Sequence, residues 1–257
     1  MAKRSAVVYG RRACLAVARR RPHEIERVLY QEDAPNRDLA PLLKACAAQR
    51  RPYRAVSASE LERASKSAHH EGVLVMTRHR PPRSINDALD AWEPSEEQRP
   101  IWVALDRVDN DHNRGAIARS LAWFGGAGLI WESGGAPQLS GAALRVAQGA
   151  AEDIELLTVP SLPKALKQLQ SRGVTILGAY QHEGETRSAF EKPSEDLTKG
   201  VCWVMGSERF GLSREVRACC DALITIPGSG LVESLNVSVS AGILITQSYA
   251  WLSSARS

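Results

Sequence analysis

From residue 101 onward, short and almost wholly apolar runs recur at wide spacing. They are "IWVALD" (101–106), "GLIW" (128–131), "TILGAY" (175–180), "VCWVMG" (201–206) and "ALITIP" (222–227). Helix-period segments alternate with them at about 113–124, 162–171 and 213–220, and a last one runs from about 236 to 252. Strands that are apolar on both faces must be covered on both faces. The alternation therefore predicts an α/β fold whose parallel sheet is sandwiched by helices. In such sheets ligands gather beyond the carboxyl ends of the strands. Three dense polar or Gly-rich segments follow strands here, and they are the candidates for chemistry.

The first 83 residues alternate on a smaller scale. A helix is expected from Gly10 to Arg21, a strand at 25–31, a helix at 37–50 and a strand at 52–56. A short capped helix at 57–65 and a strand at 72–79 follow. The stretch "RPPRSINDALDAWEPSEEQRP" (80–100) holds four prolines and an acidic cluster and reads as a linker with one helical turn near Ile85 to Trp92. The expected organisation is a small α/β domain over 1–83, a linker over 84–99 and a larger parallel-sheet domain over 100–257.

Charge separates the two parts. Residues 1–83 carry 18 Lys and Arg against 8 Asp and Glu, and the remainder carries 15 against 21. A balance of +10 in the smaller part points to a polyanion, and nucleic acid is favoured over a merely solvated basic surface. No apolar run is long enough for a membrane span, and the basic start lacks the apolar segment of a secretory signal. Five cysteines with no Cys-x-x-Cys pair fit free thiols in a reducing cytoplasm, and the six histidines are not spaced with them as metal ligands.

In the first candidate segment (105–128), Ile117, Leu121 and Phe124 form one helical stripe, with Asn113 or Asp111 as the expected cap. Arg119 lies about 160° from Ile117 and Leu121, away from that stripe. The second, "VMGSERFGLS" (204–213), ends a buried strand in Gly206, Glu208 and Gly211. It lacks the Lys-Ser/Thr of a phosphate loop, and no Gly-x-Gly-x-x-Gly follows the first strand, so nucleoside triphosphatase and nicotinamide-dependent functions are disfavoured. In the third, "ITIPGSGLVESLNVSVSAGIL", Pro227 stops a strand, glycines follow, and Ser234 and Asn236 precede a helix rich in small residues. His69 and His70 read as a loop pair, and His112, beside Asn113, is not taken as a base. Trp102, Trp123, Trp131 and Trp203 read as core.

Together the three segments resemble the SpoU/TrmH family of RNA ribose 2′-O-methyltransferases. Asn113, Gly115, Ala116 and Arg119 resemble its first motif. Gly206, Glu208 and Gly211 resemble its second. Ile226, Pro227 and Ser234 to Ser238 resemble its third, and Gly149 and Ala150 an intermediate element. The resemblance implies a deep trefoil knot in the C-terminal part and S-adenosylmethionine held by backbone at Gly206, Ile226 and Leu235. It also implies a homodimer through the C-terminal domain, with Ile243, Tyr249 and Trp251 as candidate contacts. Arg119, Asn113, Glu208, Ser234 and Asn236 are the implied catalytic set. Arg119 acts either as the base or as the group that orients phosphate and hydroxyl, with Asn113 and Glu208 positioning it. The N-terminal part resembles the family's substrate-binding domain through "VYGRRACLAV" and "HHEGVLV", and Arg11, Arg12, Arg19, Arg20 and Arg21 are the implied RNA contacts. Two positions depart from the family: Asp111 stands where proline is frequent, and Gly228 where methionine is frequent. Ribosomal RNA is the favoured substrate, with transfer RNA or a non-catalytic RNA-binding role as alternatives.

Overall fold

The computed structural model describes residues 5–33, 37–78, 83–91, 100–133, 138–181 and 186–254. Residues 92–99 of the expected linker and His79 of the expected strand lie outside them. The chain forms two compact units, one of residues 1–81 with 139–153, the other of residues 82–138 with 154–257.

The first unit contains β1 (Ser5–Tyr9), α1 (Arg11–Arg20), β2 (Ile25–Gln31), α2 (Ala40–Ala48), β3 (Tyr53–Val56), α3 (Ala58–Ser65) and β4 (Val73–Arg78). Its sheet is mixed, in the order β1-β4-β2-β3, with only β2 and β3 parallel. Val8, Cys14, Val17, Val28, Leu42 and Val75 fill one face, where α1 and α2 pack. Ser57 caps α3, accepting a hydrogen bond from Glu60 N.

Residues 139–153 complete this unit. The arginine run at the end of α1 meets their acidic end. Arg21 is buried and donates from Nε and Nη2 to the two carboxylate oxygens of Glu152, both at 2.7 Å. Its Nη1 donates to Glu24 at 2.8 Å. Burial pulls the Arg21 pKa down, but its hydrogen bonds to Glu152 and Glu24 and their charges outweigh that and hold it above its ordinary value. Arg19 and Arg20 both pair with Asp153. Removing one partner of a buried ion pair leaves an uncompensated charge. Glu152→Ala should therefore lower stability by roughly 3 kcal/mol in urea unfolding, the low end of the range because Glu24 remains.

The second unit opens with α4 (Ile85–Ala91) and β5 (Ile101–Asp106). It continues through α5 (Asp111–Trp123) and β6 (Gly128–Glu132); the chain then passes through α6 (Gly141–Ala147) of the first unit and returns as β7 (Glu155–Val159). There follow α7 (Leu162–Ser171), β8 (Thr175–Ala179), β9 (Arg187–Ser188), β10 (Val201–Gly206), α8 (Arg214–Arg217), β11 (Ala222–Thr225) and α9 (Val237–Ser254). Seven strands form one sheet in the order β7-β6-β5-β10-β8-β11-β9, and every pairing is parallel. β7 and β9 were not anticipated. Both are edge strands, and β7 is largely half-buried, so neither shows the continuous apolar run of an inner strand.

One face of the sheet packs Trp102, Ile130, Ile176 and Val204 against Leu162, Leu166 and Leu169 of α7. On the other lie α5 and α9, which contact one another. There the buried indole of Trp203 donates to Ser248 Oγ at 2.6 Å, and Trp251 lies 6.2 Å from Trp203, ring to ring. Trp251 is therefore core rather than a partner-facing residue. Trp123 departs the other way: it ends α5 and is 84% exposed.

Candidate active site

The strand order reverses at β5. From β5 the chain proceeds outward to β6 and β7, whereas β10, β8 and β11 lie on its other side. Such a switch point opens a crevice beyond the carboxyl ends of the two diverging strands. Here those ends are Asp106 and Gly206, which are register partners. All three candidate segments leave the sheet at this edge, because all its strands are parallel.

The turn after β10 is tight. Ser207 and Gly211 form an isolated bridge, and a Cβ on Gly206 would come within 2.3 Å of the Gly211 carbonyl carbon. Gly211 itself has φ +61°, a left-handed conformation natural to glycine. This geometry pushes Glu208 outward. Its Oε1 accepts from Asn236 Nδ2 at 2.9 Å, Val237 N at 3.2 Å and Asn113 Nδ2 at 3.3 Å. Asn236 Nδ2 also donates to Asn113 Oδ1 at 3.1 Å. The structure thus joins residues 113, 208 and 236, from three distant stretches of chain, in one hydrogen-bonded cluster.

The cluster also starts α9. Asn236 Oδ1 accepts from Ser238 N at 2.9 Å and its carbonyl from Val239 N and Ser240 N, which makes it the N-cap. Glu208 adds a carboxylate at the first helical amide, where the helix dipole favours negative charge. Glu208 is neither isolated nor a simple ion pair.

Arg119 stands apart. It is exposed on α5 and has no hydrogen bond or ion pair with any described residue, Asn113 and Glu208 included. Ser234 is likewise exposed and without a side-chain partner among the described residues. The buried arginine of this region is Arg114, which the sequence did not single out. Its Nε donates to Val108 O at 2.7 Å, and its guanidinium lies 5.7 Å from the Trp131 ring centroid. It faces Asp109 and Asp111, so the unusual Asp111 has a local partner. The observed cap of α5 is Asn110, whose side chain accepts from His112 N, rather than Asn113 or Asp111. The signal for Arg114 was available in the flanking acids of "DNDHNR".

Residues 226–235 run beyond β11 without a backbone–backbone hydrogen bond to any described residue. Ile226 is half-buried and Leu235 is 43% exposed, with Leu231 and Val232 also exposed. Amides and carbonyls without backbone partners, beside apolar side chains, suit an adenosine, whose purine offers both a polar edge and an apolar face.

In the first unit, Gly10, Arg11, Arg12, Glu71, Arg145 and Gln148 line a cavity of about 170 Å³. Arg11 N donates to Glu71 at 2.9 Å and Arg12 to Gln148 at 3.1 Å. Arg19 and Arg20 keep much of their side chains in solvent. Arg21, by contrast, is committed to Glu152 and Glu24. His70 is buried, its Nδ1 accepting from Gly72 N at 3.0 Å. The buried thiols of Cys14 and Cys202 are pushed well above their ordinary pKa by burial, and Cys220 to about 12, so these three carry no nucleophile at neutral pH. Among the described residues no cluster of three or more His, Cys, Asp or Glu side chains could hold a metal ion, and no helix is long and apolar enough to cross a membrane.

Residues 100–246 match the SpoU rRNA Methylase family, and residues 7–82 match the RNA 2′-O ribose methyltransferase substrate binding family. The chain belongs to the SpoU family. It is accordingly an S-adenosylmethionine-dependent RNA ribose 2′-O-methyltransferase. Similar proteins include the 23S rRNA (guanosine-2′-O-)-methyltransferases RlmB of Escherichia coli K12 and Salmonella typhimurium. Each is 31% identical over 241 residues, 94% of this chain and 96% of theirs. Among solved structures, the SpoU methyltransferase AviRb from Streptomyces viridochromogenes in complex with AdoMet shares the fold. Its TM-score is 0.76 at 21% identity, covering 97% of this chain and 91% of that one. An rRNA methyltransferase from Sinorhizobium meliloti gives 0.77 at 20% identity, covering 97% and 88%. This SpoU chain keeps its second and third motifs together through Glu208. Glu208→Ala should lower stability by about 1–2 kcal/mol, the scale of a lost helix cap, in calorimetric unfolding. Glu208→Gln keeps an acceptor oxygen and should lose less.

Proposed function

We propose that this enzyme methylates the ribose 2′-hydroxyl of a guanosine in 23S ribosomal RNA, in the cytoplasm and as a homodimer. The observation that carries the reading is the Asn113–Glu208–Asn236 cluster, set at the switch point beside the 226–235 backbone, which lacks backbone partners. The near full-length likeness to RlmB enzymes supports the substrate. The reading includes the family's trefoil knot around 227–236. The strand order supports it, because β10 and β11, consecutive in the chain, are separated in the sheet by the earlier strand β8.

When bound, S-adenosylmethionine supplies an electrophilic methyl on a sulfonium. Backbone at Gly206, Ile226 and Leu235 would hold its adenosine. A ribose hydroxyl is a weak nucleophile and must shed or share its proton as it attacks. Arg119 is free to grip the adjacent RNA phosphate with its planar fork and to orient the hydroxyl. A guanidinium is not a base, so the proton passes to a phosphate oxygen or water. Ser234 and Asn236 lie at the start of α9, where they would contact the ribose. Arg11, Arg12, Arg19 and Arg20 of the basic first unit would bind RNA phosphates. Arg21 acts with them only by fixing the end of α1.

Arg119→Ala should leave the fold and cofactor binding intact and lower methyl transfer on the order of 10²-fold or more. Arg119→Lys should restore little, because a point charge lacks the fork. The assay is tritiated methyl transfer to RNA from a strain lacking the enzyme, followed by alkaline hydrolysis. Label in alkali-resistant dinucleotides establishes ribose methylation; label on bases, or wild-type rates in Arg119→Ala, overturns it.

The dimer rests on an apolar surface of α5 and α9. Trp123, Val239 and Tyr249 are exposed there, and the Tyr249 ring lies tilted against Phe124, centroids 5.3 Å apart. Obligate interfaces are apolar on this pattern. Sedimentation should give about twice the 28.0 kDa chain mass, and Trp123→Asp should shift it toward the monomer.

A further inference from the structure

Phe210 is presented on the turn that carries Glu208, and it is 64% exposed. The turn is fixed rather than loose. Phe210 N donates to Ser207 Oγ at 3.1 Å, and Gly211 N donates to Ser207 O at 2.8 Å. Two guanidiniums approach the ring, Arg209 at 5.1 Å and Arg107 at 5.8 Å from its centroid. Arg107 is itself anchored. It donates to Asp106 Oδ1 at 3.2 Å and to Gly211 O at 3.3 Å, from a backbone with φ +58°. Asp106 is buried and also accepts from Ser213 N, so one carboxylate braces both sides of the turn. Scattered exposed apolar residues need no explanation. Here, however, a rigid backbone holds a ring out to solvent, one tethered arginine and one neighbouring arginine flank it, and Glu208 is two residues away.

Planar cations around an exposed aromatic ring suit an unpaired nucleobase. Bases of single-stranded RNA stack on aromatic rings and guanidinium planes, while positive charge meets the neighbouring phosphate. A ribose hydroxyl within regular stacked RNA is hard to present to a crevice, and a splayed nucleotide solves that problem. We propose that Phe210, with Arg107 and Arg209, is a stacking platform for an unpaired RNA base adjoining the methylated ribose. The proposal rests on the RNA methyltransferase activity and adds a positioning site to it. Stacking tolerates any base, so the platform selects for an unpaired nucleotide and leaves base identity to other contacts.

The test uses the full chain and unmodified 23S rRNA transcribed in vitro. KM and kcat for methyl transfer are measured with filter binding across a salt series, cofactor titration and sedimentation. Phe210→Leu keeps an apolar side chain but no ring. It should raise KM and the RNA Kd about tenfold, with kcat, cofactor affinity and sedimentation little changed. Phe210→Tyr should restore both. Arg209→Gln should reduce the salt slope of binding by about 0.7, as for one lost single-strand phosphate contact, whereas Phe210→Leu should leave the slope unchanged. Wild-type KM and Kd in Phe210→Leu overturn the platform. So does a selective loss of cofactor affinity or of the dimer, which would assign the ring to those contacts. Absence of methyl transfer by the wild-type chain would instead overturn the substrate reading, and the binding comparison would still decide the platform.

Discussion

A single carboxylate oxygen holds together the edge of the sheet where the three motif segments meet. Glu208 Oε1 collects donors from α5, from the segment before α9 and from the first amide of α9. A helix start leaves amides without intrahelical partners, and parallel strands leave their loops at one edge. The Glu208 side chain meets both demands at once. The same contacts that cap an 18-residue helix set the distance between Asn113 and Asn236. Loss of activity on replacing Glu208 would therefore not by itself identify a chemical role, because the same side chain caps α9.

A second carboxylate works beneath it. Asp106 ends β5 at the switch point, where it receives hydrogen bonds from Ser213 N and Arg107 Nε. Its burial is tolerable because both oxygens are engaged. The crevice is thus floored by a satisfied acid on one strand and by a glycine on its partner, where no side chain fits.

Much of this was legible in the sequence because inner parallel strands are buried on both faces and so spell continuous apolar runs. β5, β8, β10 and β11 lie within a residue or two of their expected positions. The resemblance singled out Asn113, Glu208 and Asn236, and the fold brings these three within hydrogen-bonding distance of one another. What was hidden depended on tertiary partners. The edge strands β7 and β9 lack the two-sided pattern. Arg21 read as one more cation in a basic run, since nothing local reveals Glu152, which lies 131 positions away. Arg119 read as positioned by Asn113, but the cap at Asn110 and the Glu208 contact turn Asn113 inward. Trp123 and Trp251 exchange their expected environments, since Trp123 ends α5 in solvent and Trp251 packs beside Trp203.

The first unit is discontinuous in sequence, since residues 139–153 belong to it. A ribosome that has made residues 1–83 has exposed Arg19, Arg20 and Arg21 before their acidic partners Glu152 and Asp153 exist. About 70 more residues must follow, roughly 4–14 s at common synthesis rates. During that interval Arg19 and Arg20 lack Asp153, and Arg21 has Glu24 but not Glu152. Completion of the first unit is thereby tied to synthesis of about the first third of the second.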